Sequence, residues 1–317
     1  MDHTSPLLMP SFGMTATGPE RDQSDHWLAE RCILAYGVRI GIRTNRTDFL
    51  DQILDYAPPL WKPTSVSSVE RMFSFRVGGG SSRSRRSSYV LLDSQEITLK
   101  SRSLKTVLDT FHVRIKMYVA EMARRRVFVH AGVVGWRGKA ILVPGRSMSG
   151  KTSLVAELVR AGATYYSDEY AVLDMLGRVH PYPQPLAIRK TRSAKQKEVP
   201  VEEFGGVTGI KPLPVGQVVV SRYQTGSRWR PTKLSAGETI LELLANTIPA
   251  RRKPEVVIPT LRAAVSAATS FRGVRGEAGD TARLILESRD SRTDGSNIVK
   301  VDLTARTLAL IPANSLV

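Results

Sequence analysis

The chain carries a single cysteine, Cys32, among its 317 residues. An intrachain disulfide and a cysteine-based zinc site are both excluded, and so sparing a use of thiol suits a reducing cytoplasm. Long apolar runs are missing too. No stretch approaches the ~18–20 residues that span a bilayer, and the first residues hold neither a basic n-region nor a sustained apolar h-region. The sequence therefore reads as a soluble, cytoplasmic protein with no membrane partner. Acids are scarce: 29 Asp and Glu stand against 46 Lys and Arg, for a formal charge of +17. That excess invites nucleic acid, but aromatics make up only 7% of the chain. None is interleaved with the basic clusters at 83–86, 124–126, 190–197 and 251–253, so stacking platforms for bases are absent from them. Nucleic acid is thus the disfavoured partner, and solvated loops or attraction to an acidic partner the favoured reading.

Apolar residues are plentiful at 42%, ample for a core, and their spacing organises the chain. Residues 1–25 have no periodicity and read as a mobile tail. "RCILAYGVRIGIRTN" alternates as a strand or hairpin, "RTDFLDQILDYAP" has helical spacing, and "RMFSFRV", "SYVLL" and "EITLK" read as strands around a Gly/Ser/Arg loop at 78–88. Apolar positions from Leu104 to Met122 recur at three and four residues, predicting a long amphipathic helix. Residues 26–125 are therefore expected to form an α+β lead-in module, and 126–317 the main α/β domain. In the latter, "VFVHAGVVGWRGKAILVPG" reads as a hairpin, "TSLVAELVRAG" as a helix ending at Gly162, and "ATYYS" as a second strand, a βαβ unit. Further on, 190–216 reads as a long basic loop and "VGQVVVSRY" as a strand. Ser235 and Glu238 have capping-box spacing. A helix at 258–270 and closing strands "ARLILES", "NIVKVDL" and "TLALIPA" complete the expectation.

The chemistry centres on "VPGRSMSGKTS". Gly145, Gly150, Lys151 and Thr152 fit G-x-x-x-x-G-K-[ST], in which backbone N–H groups and a helix N-terminus cradle phosphates, the lysine reaches the outer phosphates and the hydroxyl ligates Mg²⁺. The cradle comprises Gly145, Arg146, Ser147, Met148, Ser149, Gly150, Lys151, Thr152 and Ser153, after an apolar strand and before an amphipathic helix. In a βαβ unit the two strands run parallel, so Asp168 and Glu169 at the end of "ATYYS" face the loop; on an extended segment they point to opposite sides, one toward metal or attacking group. If the hairpin turns near Arg137, antiparallel pairing sets His130 opposite Pro144, where an imidazole can relay a proton or position an acid. Arg189, ending "PLAIRK", is either a stabiliser of charge on the transferring phosphoryl group or a surface arginine. His112, His180 and the Tyr165–Tyr166 pair read as packing or surface residues.

"HAGVV", "GRSMSGKTS", "LVRAGATYYSDEY" and "VLD" together resemble the HPr serine kinase/phosphorylase family, in particular its HprK-related kinases. The likeness is specific over 127–175, weaker through Arg189 and over 216–250, and slight over the first 100 residues. It implies a phosphate-loop core shared with ATP-dependent phosphoenolpyruvate carboxykinases, ATP and Mg²⁺ as cofactors, and an active site of His130, Lys151, Thr152, Asp168 and Glu169, with self-association by analogy. Two departures stand out: Glu169 occupies a position usually held by Asp, and "EEFGGVTGI" echoes a family signature but has Gly205 in place of its arginine. The second, in a run that the resemblance assigns to contacts peculiar to true HPr kinases, points away from HPr as acceptor and from the reverse phosphorylase reaction. The resulting expectation is an ATP–Mg²⁺ kinase of a hydroxyl, most simply serine of a peptide or protein, with a modified-peptide precursor among the candidates because relatives of this shortened type resemble kinases found beside peptide-modifying enzymes. Free serine as acceptor, a non-catalytic ATP-binding regulator and a nucleic-acid-associated ATPase remain the alternatives.

Overall fold

A computed structural model describes residues 26–78, 88–145, 149–188 and 197–288. It is a mixed α/β protein whose contacts divide it into two compact units. The first holds the chain up to Phe128 with Val172–Met175 and Thr247–Thr260; the second holds Val129–Ala171, Leu176–Asn246 and the residues from Leu261 onward. Among the described residues, no helix is long and apolar enough to cross a membrane.

The first unit is built on a six-stranded sheet. Strands β1 (Ala29–Ala35) and β2 (Val38–Thr44) form the expected hairpin, and helix α1 (Leu50–Leu54) follows. Strands β3 (Lys62–Pro63), β4 (Arg71–Gly78), β5 (Ser88–Asp93) and β6 (Glu96–Ser101) complete the order β3-β1-β2-β4-β5-β6. Helix α2 (Leu104–Met122) opens on Ser103, whose side chain accepts from the Thr106 N–H, and buries Val107, Leu108, Phe111, Ile115 and Val119, the apolar stripe its sequence spacing predicts. Phe111 meets Phe73 and Phe75 edge to face at 5.2 and 5.0 Å. Nearby, the buried Asp93 carboxylate accepts two hydrogen bonds from Arg71, at 2.5 and 2.6 Å, and one from Arg114 at 3.4 Å, joining β4, β5 and α2.

The second unit follows from one long strand. β7 (Arg126–Trp136) turns at Arg137 and Gly138, both at positive φ (51° and 73°), into β8 (Lys139–Pro144). Two positive φ angles match the right-handed twist of a two-residue hairpin, and Gly138 meets the second without strain. Helix α3 (Lys151–Arg160), β9 (Thr164–Ser167), β10 (Tyr170–Asp174) and β11 (Arg178–His180) come next, then β12 (Leu186–Ile188) paired with β13 (Lys197–Val199). β14 (Leu213–Tyr223), β15 (Thr232–Leu234), helices α4 (Ala236–Leu244) and α5 (Pro254–Val265), β16 (Thr269–Arg275) and α6 (Ala278–Glu287) follow in the chain, although the first residues of β7, Val172–Asp174 of β10 and α5 up to Thr260 are counted with the first unit. The large sheet runs β11-β10-β7-β8-β14-β16-β15, with β9 also on β7 and β11 also on β14. β8, β14 and β16 are mutually parallel. Helices α3 and α6 share one core with it: Leu154, Val155, Leu158 and Val159 pack with Ile285, Leu286, Ile141 and Val219.

Several expectations are corrected. β9 does not lie beside β8: both are antiparallel to β7, which runs between them. They are still parallel to each other, so their carboxyl ends share an edge. "ARLILES" is part of helix α6, because Ala282, Ile285 and Leu286 fall on one helical face and are buried, a 3.6-residue period that a strand cannot serve. The helix expected at 258–270 starts at Pro254 and stops at Val265, and the loop at 190–216 contains β13 and the start of β14. The capping box is present: Ser235 Oγ accepts from Glu238 N–H and the Glu238 carboxylate from Ser235 N–H. The 1–25 tail, the arginines at 83, 85 and 86, and the strands "NIVKVDL" and "TLALIPA" lie outside the described residues.

Gly132 on β7 is what lets α3 lie close to the sheet, since a Cβ there would sit 2.5 Å from Val155 Cγ2. Val155 is β-branched and stiff. Gly132→Ala should therefore cost about 1–3 kcal/mol by overpacking, and Val155→Ala should itself destabilise by leaving a cavity. In denaturant unfolding the double variant should be more stable than the sum of the two predicts; strict additivity would mean that the two side chains do not meet.

Candidate functional site

The loop begins where β8 ends. Gly150, at φ 85°, is the N-cap of α3, and no side chain caps that helix. The first-turn N–H groups have no intrahelical acceptors, and the helix dipole adds positive potential there. Lys151 is only 7% exposed and its ammonium donates to the Gly145 carbonyl at 2.7 Å. Burial pulls its pKa down to about 8, against the opposing influence of Asp168 and Glu169. Ser149 Oγ is buried and has no hydrogen-bond partner among the described residues, and a Cβ on Gly145 would lie 2.8 Å from it. This end of α3 thus holds a desolvated amine, a buried hydroxyl with no partner among the described residues and a helix N-terminus without a side-chain cap, a donor set complementary to an anion with several oxygens.

Asp168 and Glu169 arrive at the same edge, as the parallel relation of β8 and β9 requires. They are not on an extended segment, however. Ser167 Oγ accepts from both the Glu169 and Tyr170 N–H groups, at 3.1 and 2.9 Å, and holds them in a bend between β9 and β10. The Asp168 carboxylate is buried and held from three directions: the Tyr165 hydroxyl lies 3.2 Å from Oδ1, the Ala187 N–H donates to Oδ2 at 3.1 Å, and the Thr152 side chain hydrogen-bonds it. Burial raises its pKa, and the Glu169 charge adds to that, while the three hydrogen bonds pull the other way. Of about four lone-pair positions on a carboxylate, one is left for a metal or a hydroxyl. Glu169 is only partly buried, and its carbonyl accepts from Ala131 N–H at 3.1 Å.

The His130 register is one residue from expectation. Ala131 pairs with Pro144, and His130 faces Gly145, whose N–H donates to its carbonyl at 3.3 Å. The ring lies against Tyr170 at 5.9 Å between centroids. His130, Lys151, Thr152, Asp168 and Glu169 are thereby joined at one edge through backbone pairing on β7 and the Thr152–Asp168 bond. Ser153 instead sits exposed on α3. Arg146, Ser147, Met148 and Arg189 lie outside the described residues.

Three participants escape sequence reading. Tyr165, expected to be a packing or surface residue, is buried and spreads its one hydroxyl proton between Asp168 and the Gln184 carbonyl, at 3.2 and 2.8 Å; burial raises its pKa far beyond the usual phenol range. Ser167, directly before the acids, was a visible signal, since serine commonly accepts from backbone two residues ahead. Arg275 is remote in sequence yet donates to the Gly150 carbonyl at 2.9 Å. The run at 201–211 also reaches the site: Tyr165 N–H donates to Val207 and Gly209 N–H to Tyr165, laying "EEFGGVTGI" alongside β9.

Among the described residues no group of three or more His, Cys, Asp or Glu gathers to hold a metal; the candidate donors here are Thr152, Asp168 and Glu169. In the first unit, two basic clusters that are separate in sequence line one cavity of about 250 Å³, with Arg124, Arg125, Arg126 and Lys253 around Val127 and Val256. No aromatic lines it, so it offers no stacking surface for bases. No protein-family model matches the chain, and no curated protein matches it as a relative.

A phosphate anion beside Lys151 should restore its ammonium. At about pH 9, above its pKa of about 8, ADP binding should take up a proton, as the neutral amine charges against the ligand. Calorimetry in buffers of different ionisation enthalpy measures this uptake. Lys151→Arg, which stays charged throughout, should abolish it; unchanged uptake in that variant would assign the proton to another group.

Proposed function

We propose that the protein is an ATP–Mg²⁺-dependent phosphotransferase that moves the γ-phosphoryl group to a hydroxyl, serine of a peptide or protein being the favoured acceptor, in a phosphate-loop core of HPr kinase type. The observation that carries this reading is the Asp168 carboxylate, buried and fixed by Thr152, Tyr165 and Ala187 within the electrostatic reach of Lys151. A regulator that only binds nucleotide needs the amine and the helix end, but not an acid held with one position open.

The residues fit the ligands this reading requires. Ser149 Oγ, the α3 amides and Lys151 would hold phosphate oxygens, the amine leaving the Gly145 carbonyl to do so. Thr152 with Asp168 or Glu169 would hold Mg²⁺, which usually keeps several waters and takes only one or two protein carboxylates, so two acids and a hydroxyl suffice. When bound, the ion supplies charge neutralisation across the outer phosphates. Asp168 accepts the acceptor hydroxyl's proton; its burial makes it more basic than an ordinary carboxylate, and Tyr165 and Ala187 keep its open side aimed. His130, beside the loop's first glycine, serves the proton's onward path or the positioning of the acids. Phosphoryl transfer depends chiefly on positioning and charge, so this set is chemically sufficient. The formal charge of +17 favours an acidic acceptor by steering.

Labelled ATP offered with candidate peptides and free serine tests the assignment. The protein should label an acceptor in stoichiometric excess, and Asp168→Asn should keep nucleotide affinity within about threefold while transfer falls at least ~100-fold, the scale of a lost general base. Equal turnover in Asp168→Asn would remove this acid from the chemistry. Nucleotide binding with no acceptor labelled, peptide or serine, would favour the regulator.

A further inference from the structure

Arg275 closes β16 at the edge where the loop after β8 emerges. β8, β14 and β16 run parallel, so their carboxyl ends lie together, the edge at which parallel α/β sheets take ligands. Its side chain is 2% exposed. Nη2 donates to the Gly150 carbonyl at 2.9 Å and Nη1 to the Gly276 carbonyl at 3.0 Å, while Nε is buried with no acceptor among the described residues. Among those residues no carboxylate forms an ion pair with the guanidinium. It faces the Tyr223 ring at 5.4 Å, and Glu277 acts on it only through space.

A buried cation with so little compensation is costly, and its surroundings deepen the cost. It sits at the positive end of α3, and Lys151, the next buried cation, follows directly on the glycine it touches. The Gly150 carbonyl also receives the Leu154 N–H at 3.2 Å, so two donors fix that peptide. In a planar trans amide the carbonyl and the following N–H point in opposite directions; the Lys151 N–H is therefore turned away from Arg275. Glycine is required for the approach, because a Cβ on residue 150 would lie 2.4 Å from Nη2.

We propose that Arg275 is a positioning residue of the phosphate site: it locks the Gly150–Lys151 peptide with its N–H directed away from the guanidinium at the start of α3, and it places beside Gly150 a desolvated positive charge that a multiply charged anion bound there would relieve. The inference rests on the reading of 145–152 as a nucleotide-phosphate loop and goes beyond it by naming a residue 125 positions away. It predicts selectivity for di- and triphosphates over uncharged ligands.

Calorimetric titration with Mg-ADP tests it, with thermal unfolding as a control on folding. Arg275→Met should weaken ADP at least tenfold, and Arg275→Lys, which keeps charge but not the fork that spans two carbonyls, should lie between. In Arg275→Ala, added ethylguanidinium should recover part of the lost affinity, which a general folding defect would not allow. Native ADP affinity in Arg275→Met overturns the inference while leaving the loop assignment intact. If Arg275→Met does not fold, native affinity in Arg275→Lys, or no ethylguanidinium rescue in a folded Arg275→Ala, overturns it instead. Absence of ADP binding by the unaltered protein overturns both.

Discussion

The site depends on the backbone ladder of β7. This single strand accepts β8 along one side and β9 along the other, and at its middle two consecutive residues tie in both segments of the candidate site. The His130 carbonyl takes the N–H of Gly145, the first residue of the loop, and the Ala131 N–H gives to the carbonyl of Glu169. Adjacent strands are held about 4.8 Å apart by such bonds, so the loop and the acidic turn are brought to one edge by main-chain geometry before any side chain acts. Gly132, the next residue, then removes the side chain that would keep α3 from the sheet. Three successive residues on one strand thus set the position of the loop, the acids and the helix.

Upon this scaffold the electrostatics are those of desolvation. Lys151, Arg275 and Asp168 are all at most 7% exposed, and burial is the first cause of the pKa shift of each: downward for the two cations, upward for the acid. Every one is pushed toward its neutral form, which marks a place where charge is held at a cost in stability. Such costs are typical where groups must change partners. Here Lys151 rests on a carbonyl, Ser149 Oγ has no partner among the described residues, and Asp168 is held by Thr152, Tyr165 and Ala187; under the proposed function these would be desolvated donors and a positioned base.

In the first unit the buried Asp93 is instead held by paired charges, those of two arginines. The unit's aromatic residues pack edge to face in a conventional core. Its basic cavity is partly neutralised, with Arg124 paired to Glu70 at 3.2 Å.

The sequence by itself determined what depends on near neighbours: the hairpins, the long helix over Leu104 to Met122, the capping box at Ser235 and the glycine loop with its lysine. Each is written in spacing or turn chemistry within a few residues, and the βαβ reading brought Asp168 to the correct edge because handedness and strand direction are general. Local reading failed where a pattern was short, as when "ARLILES" read as a strand, and where pairing allowed a slip of one residue, as at His130. Only the tertiary structure decided that β7 lies between β8 and β9, that Tyr165 holds the acid it precedes by three residues, and that Arg275 backs Gly150 from the far end of the chain. Those facts are contacts between segments whose separation leaves no periodic trace, and burial, which shifts each of the site's charges, is a property of the packed whole.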